Sequence, residues 1–321
     1  MKNYPPTQKE LELESFNDFL YNNYNLKIKK TQENSPKTKL LYCEKDKCYI
    51  IKELDANSER IYEYLYNLGV ENVIYPELNS ENKFITKKKD KYIYLSNYYK
   101  STNNINEKRI IDLFDELKVL HSKTSYPKEL SPEKYRKKFD EISKRLDFKF
   151  KFIEEYIRSL ENRKIDSQVY RILDKYHIIL NAKKELIRLQ KRLILNIKDH
   201  ETIDYVFIHN NPKSEHLVYV RGNRYLTSIE QGKMGVSSLD YAKFYIENSN
   251  TNLDIKTIIC NELLKYESDF YYDYFRFLVL FIYINRINIS NEIYQTALSF
   301  DINSSALSKF LNEFVDRKIS N

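Results

Sequence analysis

The 321-residue chain has no tryptophan, four glycines, seven prolines and three cysteines. Together with plentiful lysine and isoleucine, this is the residue usage of a very AT-rich genome, so high lysine and tyrosine counts say little about function. The cysteines, Cys43, Cys48 and Cys260, have neither zinc-site spacing nor the even number of a disulfide framework, and no metal site follows from them. Cys43 and Cys48 flank the turn Glu44-Lys45-Asp46-Lys47. They are expected as reduced strand residues of a cytosolic protein, with a pair facing across a hairpin as the alternative. No long apolar run exists either: Phe277–Ile284 spans eight residues, against about 20 for a membrane-crossing helix. The opening MKNYPPTQKELELESF lacks the apolar core and small-residue cleavage site of a signal peptide, so a cytoplasmic location is expected.

What is present suits a folded chain. Hydrophobic residues make up 42%, aromatics 14% and charged residues 31%, enough apolar surface to offset the conformational entropy lost on folding. The length allows one large domain or two unequal lobes. A net charge of +7 comes from 53 Lys and Arg against 46 Asp and Glu, spread along the chain, and does not indicate a general nucleic-acid binder. The aromatics mostly fall at core spacing, where packing explains them better than base stacking.

Residues 1 to about 100 read as mixed α/β. A helix is expected over Thr7–Tyr21, followed by strands Tyr24–Lys30, Lys39–Cys43 and Lys47–Leu54 separated by the polar stretches TQENSPKT and EKDK. Ile61, Tyr62, Leu65 and Leu68 recur at helical spacing over Ser58–Leu68, and Gly69 sits where a left-handed cap would end that helix. Strands Lys83–Lys87 and Lys91–Asn97 complete a small sheet. From Asn106 helices dominate. Ile110, Ile111, Leu113, Phe114, Leu117 and Leu120 form one amphipathic face ending at His121. A charged helical region spans 133–200, where Phe148, Phe152, Ile153, Tyr156, Ile157 and Leu160 recur at helical spacing, and Ile172, Leu173, Tyr176, Ile179, Leu180, Leu186, Leu189 and Leu193 mark a second long helix. Strand and turn character returns over 203–229, and helices resume from Ser238.

Five segments carry a resemblance. They are Tyr49-Ile-Ile-Lys52-Glu53-Leu54; the helix Ser58–Leu68; Asp115–Thr124, DELKVLHSKT; Phe207-Ile-His209-Asn210-Asn211-Pro212-Lys213-Ser214-Glu215-His216; and Tyr225-Leu-Thr-Ser228-Ile229-Glu230 with Ser238-Leu239-Asp240-Tyr241-Ala242. In order and spacing they resemble the aminoglycoside phosphotransferase and choline kinase superfamily, in particular its spore-coat kinase-like (CotS-type) branch in Gram-positive bacteria. The resemblance implies an α+β, two-lobed protein-kinase-like fold, with a small antiparallel-sheet N-lobe over 1–100 and a large helical C-lobe over 101–321. The C-lobe would include the charged helices 133–200 and a catalytic loop over 205–230.

The resemblance also implies roles. Lys52 takes the place of the nucleotide-binding lysine, with Glu63, or Glu59, as its partner. Asn211 stands where the family's His-Gly-Asp has its base, and a neutral amide cannot accept a proton near pH 7. His216 and Ser228 stand at the metal-binding Asn and Asp, yet Mg²⁺ prefers anionic oxygen, and neither imidazole nor hydroxyl supplies it. Between the first two strands TQENSPKT has no glycine to let backbone approach phosphates. His121, His209 and Asp240 are expected to be structural, Asp240 supporting the catalytic-loop backbone. Glu230, two residues past Ser228 and on the same face if both lie in a strand, and Glu215, beside His216, are candidate relocated metal ligands.

These substitutions predict a pseudokinase serving as a scaffold or binding module, with no cofactor expected. The alternative is a divergent ATP- and Mg²⁺-dependent phosphotransferase acting on a hydroxyl of an amino-sugar, choline-like or sugar substrate. A third reading docks helices 133–200 on a protein partner, at a spore surface if the branch is right. No membrane span is expected.

Overall fold

The computed structural model describes residues 8–99, 106–129, 131–161, 163–199, 202–266 and 268–314. Thr7, where the first helix was expected to begin, lies outside them. The chain runs α1 (Gln8–Tyr24), β1 (Ile28–Ser35), β2 (Thr38–Cys43), β3 (Cys48–Leu54), α2 (Glu59–Asn67), β4 (Thr86–Lys88), β5 (Lys91–Asn97) and α3 (Glu107–Thr124). It continues through β6 (Tyr126–Glu129), α4 (Pro132–Glu161), α5 (Ser167–Asp199), β7 (Thr202–Ile208), β8 (Leu217–Val220), β9 (Asn223–Leu226) and β10 (Lys233–Gly235). Helices α6 (Ser238–Asn248), α7 (Ile255–Leu263), α8 (Phe270–Arg286) and α9 (Ile293–Glu313) complete it. Among the described residues no helix is long and apolar enough to cross a membrane.

Two compact units result. Unit 1 comprises residues 1–124 and 213–233; unit 2 comprises 125–212 and 234–321. The segment 213–233 joins unit 1 because α3 holds it by charge and backbone. Buried Arg109 donates from Nε to the Ser214 carbonyl at 2.7 Å and from Nη2 to the Leu217 carbonyl. Arg224 on β9 meets Asp112 at 2.7 Å and Glu116 at 2.8 Å.

Unit 1 is built on a five-stranded antiparallel sheet ordered β1-β2-β3-β5-β4. The two-residue period of a strand sends alternate side chains to opposite faces. One face carries Leu41, Cys43, Tyr49, Ile51, Ile93 and Leu95, a core that Leu20, Phe16 and Phe19 of α1 cover. Ile50 and Lys52 point to the other face, directly across from Ser96 and Tyr94 on β5. Against that second face lies buried Tyr62 of α2, its ring 6.1 Å from Tyr94 and 5.9 Å from Phe84.

Several boundaries differ from the sequence reading. Tyr24, expected to open the first strand, ends α1, and β1 begins at Ile28. The polar TQENS was expected as a loop, yet Thr31–Ser35 pair with β2 down to Ser35 opposite Thr38; an edge strand needs only backbone partners, so an almost wholly polar sequence suffices. Strand β4 begins at Thr86 rather than Lys83 because the Glu59 carboxylate accepts the Phe84 and Ile85 N–H groups at 2.9 and 2.6 Å. Gly69 does take the left-handed conformation, at φ 66°.

Unit 2 is mainly helical. Its sheet has three strands, β10-β7-β6. On α4 the buried residues are Phe139, Leu146, Phe150, Ile153, Ile157 and Leu160. Phe148 and Phe152 were read as members of that apolar stripe, but they are 75% and 45% exposed. Phe150, which that reading passed over, fixes the stripe's true phase.

Candidate functional site

In unit 1, the sheet face opposite the α1 core opens into a cavity of about 470 Å³. Its wall is formed by the β1–β2 hairpin (Asn34, Ser35, Thr38), by Ile50, Lys52, Tyr62, Ile74 and Tyr94, by Ser96–Tyr99 at the end of β5, and by Glu215, His216, Val218, Thr227 and Ser228. Strand alternation delivers Lys52 to this wall.

The lysine's partner is not the one expected. Lys52 Nζ is ion-paired with Glu230 Oε1, and the Tyr62 hydroxyl donates to Glu230 Oε2 at 3.4 Å. Glu63 is exposed, and Glu59 spends its carboxylate on the 84–85 backbone. The side chains of Glu230 and Lys52 are 4% and 20% exposed, so this is a nearly dry pair. Burial, with Glu230 nearby, pushes the Tyr62 and Tyr94 hydroxyls well above the ordinary tyrosine range.

Glu230 reaches that position through a turn. Ser228 and Glu230 would share a face only in a strand, but Ser228 adopts φ 59°, ψ 37°, and Ile229–Gln231 form a 3-10 turn. Its left-handed backbone breaks the two-residue period, so Glu230 leaves Ser228's face and meets Lys52. A serine there stores conformational strain on the order of 1 kcal/mol. His216 ends a 3-10 turn braced by Arg109, and its carbonyl accepts the Thr227 N–H at 2.8 Å and hydroxyl at 3.2 Å. His216 Nε2 lies 3.8 Å from Glu215 Oε1, on a carboxylate 68% exposed. His121 is buried near the end of α3.

In unit 2, β7 ends at Ile208 and the chain turns through His209, Asn210 and Asn211. Asn210 has φ 66°, the left-handed region asparagine tolerates better than most residues. Asp240, fully buried on α6, accepts the His209 N–H with one oxygen and the Asn210 N–H with the other, both at 2.7 Å. Lys243, one helical turn on, donates to the Asn210 carbonyl at 2.5 Å and side-chain oxygen at 2.7 Å. The buried His209 ring accepts the Asn211 N–H on Nδ1 at 3.3 Å. Asp240 and His209 thus hold backbone, and the Asn211 side chain is half-buried. Sequence reasoning missed Lys243, although its position three residues after Asp240 places both on one helical face.

Among the described residues no three His, Cys, Asp or Glu side chains converge as a group that could hold a metal ion.

No family model and no curated protein matches the sequence. Solved structures do match the fold. An aminoglycoside phosphotransferase from Alicyclobacillus acidocaldarius aligns at a TM-score of 0.63 and 12% identity, over 89% of this chain and 91% of that one. Aminoglycoside phosphotransferase APH(4)-Ia aligns at 0.53 and 9% identity, over 97% and 100%. Choline kinase LicA from Streptococcus pneumoniae aligns at 0.50 and 16% identity, over 96% and 100%. The chain has the α+β, protein-kinase-like fold of these phosphotransferases, with a small antiparallel-sheet lobe and a larger helical part. At such identities the fold is what is shared.

Proposed function

We propose that this protein is a catalytically impaired kinase-like protein, a pseudokinase acting as a scaffold or binding module. The observation that carries this reading is the Lys52–Glu230 pair: the carboxylate closest in sequence to Ser228 is buried and bound to the lysine, so it is not free to replace a missing metal ligand. Phosphoryl transfer depends on positioned phosphates, metal charge and an oriented acceptor rather than on covalent help from protein. Asn211 supplies no base, which alone is worth about 10²- to 10⁴-fold, and His216 and Ser228 supply no anionic oxygen for the ion.

Thermal shift with ATP, with and without Mg²⁺, tests the reading. A ligand at 100 times its Kd stabilises by about 2.7 kcal/mol, so metal-assisted binding would be plain. The expected result is no stabilisation that depends on Mg²⁺ and no ATP consumption. Metal-dependent stabilisation at micromolar affinity, with turnover abolished by Glu230→Gln, would establish the divergent phosphotransferase instead.

The scaffold role is assigned to α4 and α5, where Phe148 and Phe152 stand exposed among charged residues. Charge reversal on α4 should abolish partner recovery in a pull-down; unchanged recovery would remove this surface from the proposal.

A further inference from the structure

Unit 2 has a groove of its own, of about 390 Å³, between α5 and α9. The two helices run side by side in the same sense. Arg171, near the start of α5, is ion-paired with Asp301 of α9, and the groove opens further along both. On α5 it is lined by His177, Asn181, Lys184 and Arg188, whose spacing of four, three and four residues puts them on one helical face. Ser308 and Asn312 of α9 form the other wall, and Ile178 and Leu311 add apolar surface. No residue of the loop after β7 lines it.

The carboxylate in this wall, Glu185, has its charge spent. Its Oε1 accepts from Arg188 Nη2 at 2.6 Å and from Arg276 Nη2 at 2.5 Å, and its Oε2 accepts from Arg188 Nε at 2.8 Å. Behind it, Arg276 lies 3.9 Å from Asp273, and Arg192 lies 2.9 Å from Asp273 and 3.9 Å from Asp269. Arginines 188, 192 and 276 thus balance Glu185, Asp269 and Asp273. Lys184 stands outside that balance: its side chain has no ion-pair or hydrogen-bond partner among the described residues, and the same holds for Asn181, Ser308 and Asn312.

We propose that the α5–α9 groove is a binding site for a small organic anion, a carboxylate or phosphate carried on a short aliphatic body. Lys184 brings a positive charge that nothing else in the protein uses, and Asn181, Ser308 and Asn312 bring neutral donors for the oxygens of the anion. The Arg188 guanidinium is already held by its paired bonds to Glu185, so its charge stands at the groove with little further ordering to be done. Ile178 and Leu311 cover the aliphatic body, and the volume lies within the range of roughly 300–1,000 Å³ typical of small-molecule sites. A cation finds no carboxylate oxygen to meet, because both oxygens of Glu185 are taken. The site is independent of the pseudokinase reading, since neither Asn211 nor the cavity of unit 1 takes part in it.

Calorimetry on the full-length protein at low salt tests this with succinate, propyl phosphate and succinamide, the uncharged counterpart of the diacid. At least one of the two anions should bind with a Kd of about 1 mM or tighter, and succinamide at least about tenfold more weakly. Whichever anion binds tighter identifies the head group. Lys184→Gln should weaken that binding at least about fivefold; its side chain is exposed and unpartnered, so the chain keeps its fold. Lys151→Gln removes the same charge from an exposed position on α4 and should leave binding unchanged. The proposal is overturned if neither anion binds, if succinamide matches succinate, if Lys184→Gln binds like wild type, or if both lysine variants weaken binding equally, which would mean diffuse surface charge and no site.

Discussion

The loop after β7 in unit 2 and the cavity wall of unit 1 use buried carboxylates in different ways. In the loop a carboxylate serves backbone: Asp240 accepts the His209 and Asn210 N–H groups, and the His209 ring accepts that of Asn211. In the cavity a carboxylate serves a side chain: Glu230, from a turn, pairs with Lys52, where the sequence reading expected a glutamate of α2. Buried groups that satisfy backbone N–H are costly to lose, whereas one carboxylate can replace another as a lysine's partner wherever geometry allows. A carboxylate that holds backbone is therefore fixed in place, while one that pairs with a lysine can be supplied from more than one element.

Mutations can break or sharpen this contrast. The largest effect is expected from Asp240→Ala, which leaves the buried His209 N–H and the part-buried Asn210 N–H without their acceptor; urea unfolding should show a loss of about 3–5 kcal/mol. Glu230→Gln should cost less, about 2–3 kcal/mol, since the amide retains hydrogen bonding to Tyr62 while Lys52 loses its counter-charge. A double-mutant cycle with Lys52→Met should give a coupling above about 1 kcal/mol; a coupling near zero would mean that the pair does not hold the turn.

Alkaline titration probes the aromatic cluster in which Tyr75 packs on Tyr62 of α2. Burial raises the Tyr75 hydroxyl to about 12, and it donates to the Val70 carbonyl at 2.6 Å. The unfolded chain loses this proton near pH 10 and the folded chain only near 12, so stability is full below pH 10 and falls between the two. Tyr75→Phe should flatten that fall by on the order of 1 kcal/mol in unfolding curves at pH 9 and 11.5. Ser228→Gly, relieving a left-handed serine, should stabilise by about 0.5–1 kcal/mol in the same assay. Glu63→Gln should change stability by less than about 0.5 kcal/mol, and a larger loss would restore α2 as the lysine's support.

Much of this was legible in the residues. The β3 and β5 alternation, the α2 stripe with its Gly69 cap and the order of the five motifs sufficed for the fold, because periodicity and caps are local. The displayed chemistry at Asn211, His216 and Ser228 was legible too, since residue type alone decides what an amide, an imidazole or a hydroxyl can do. Elsewhere local pattern misled. Phe148 and Phe152 match helical spacing yet face solvent, because a helix with apolar residues on more than one side has a choice of stripe that only its packing settles. TQENS lacks an apolar pattern and still makes a strand, because an edge strand is held by its neighbour's backbone.

By itself the sequence determined which groups are available: a lysine on a strand, carboxylates on α2 and after Ser228, and no carboxylate at Asn211 or Ser228. Tertiary structure alone decided who meets whom. Glu230 lies 178 residues from Lys52, and they meet because a left-handed serine and one tight turn bring the carboxylate beneath the sheet, while Glu59 is drawn away to cap the 84–85 backbone. Charge pairing acts through a few ångströms of space, and no spacing along a chain encodes that distance.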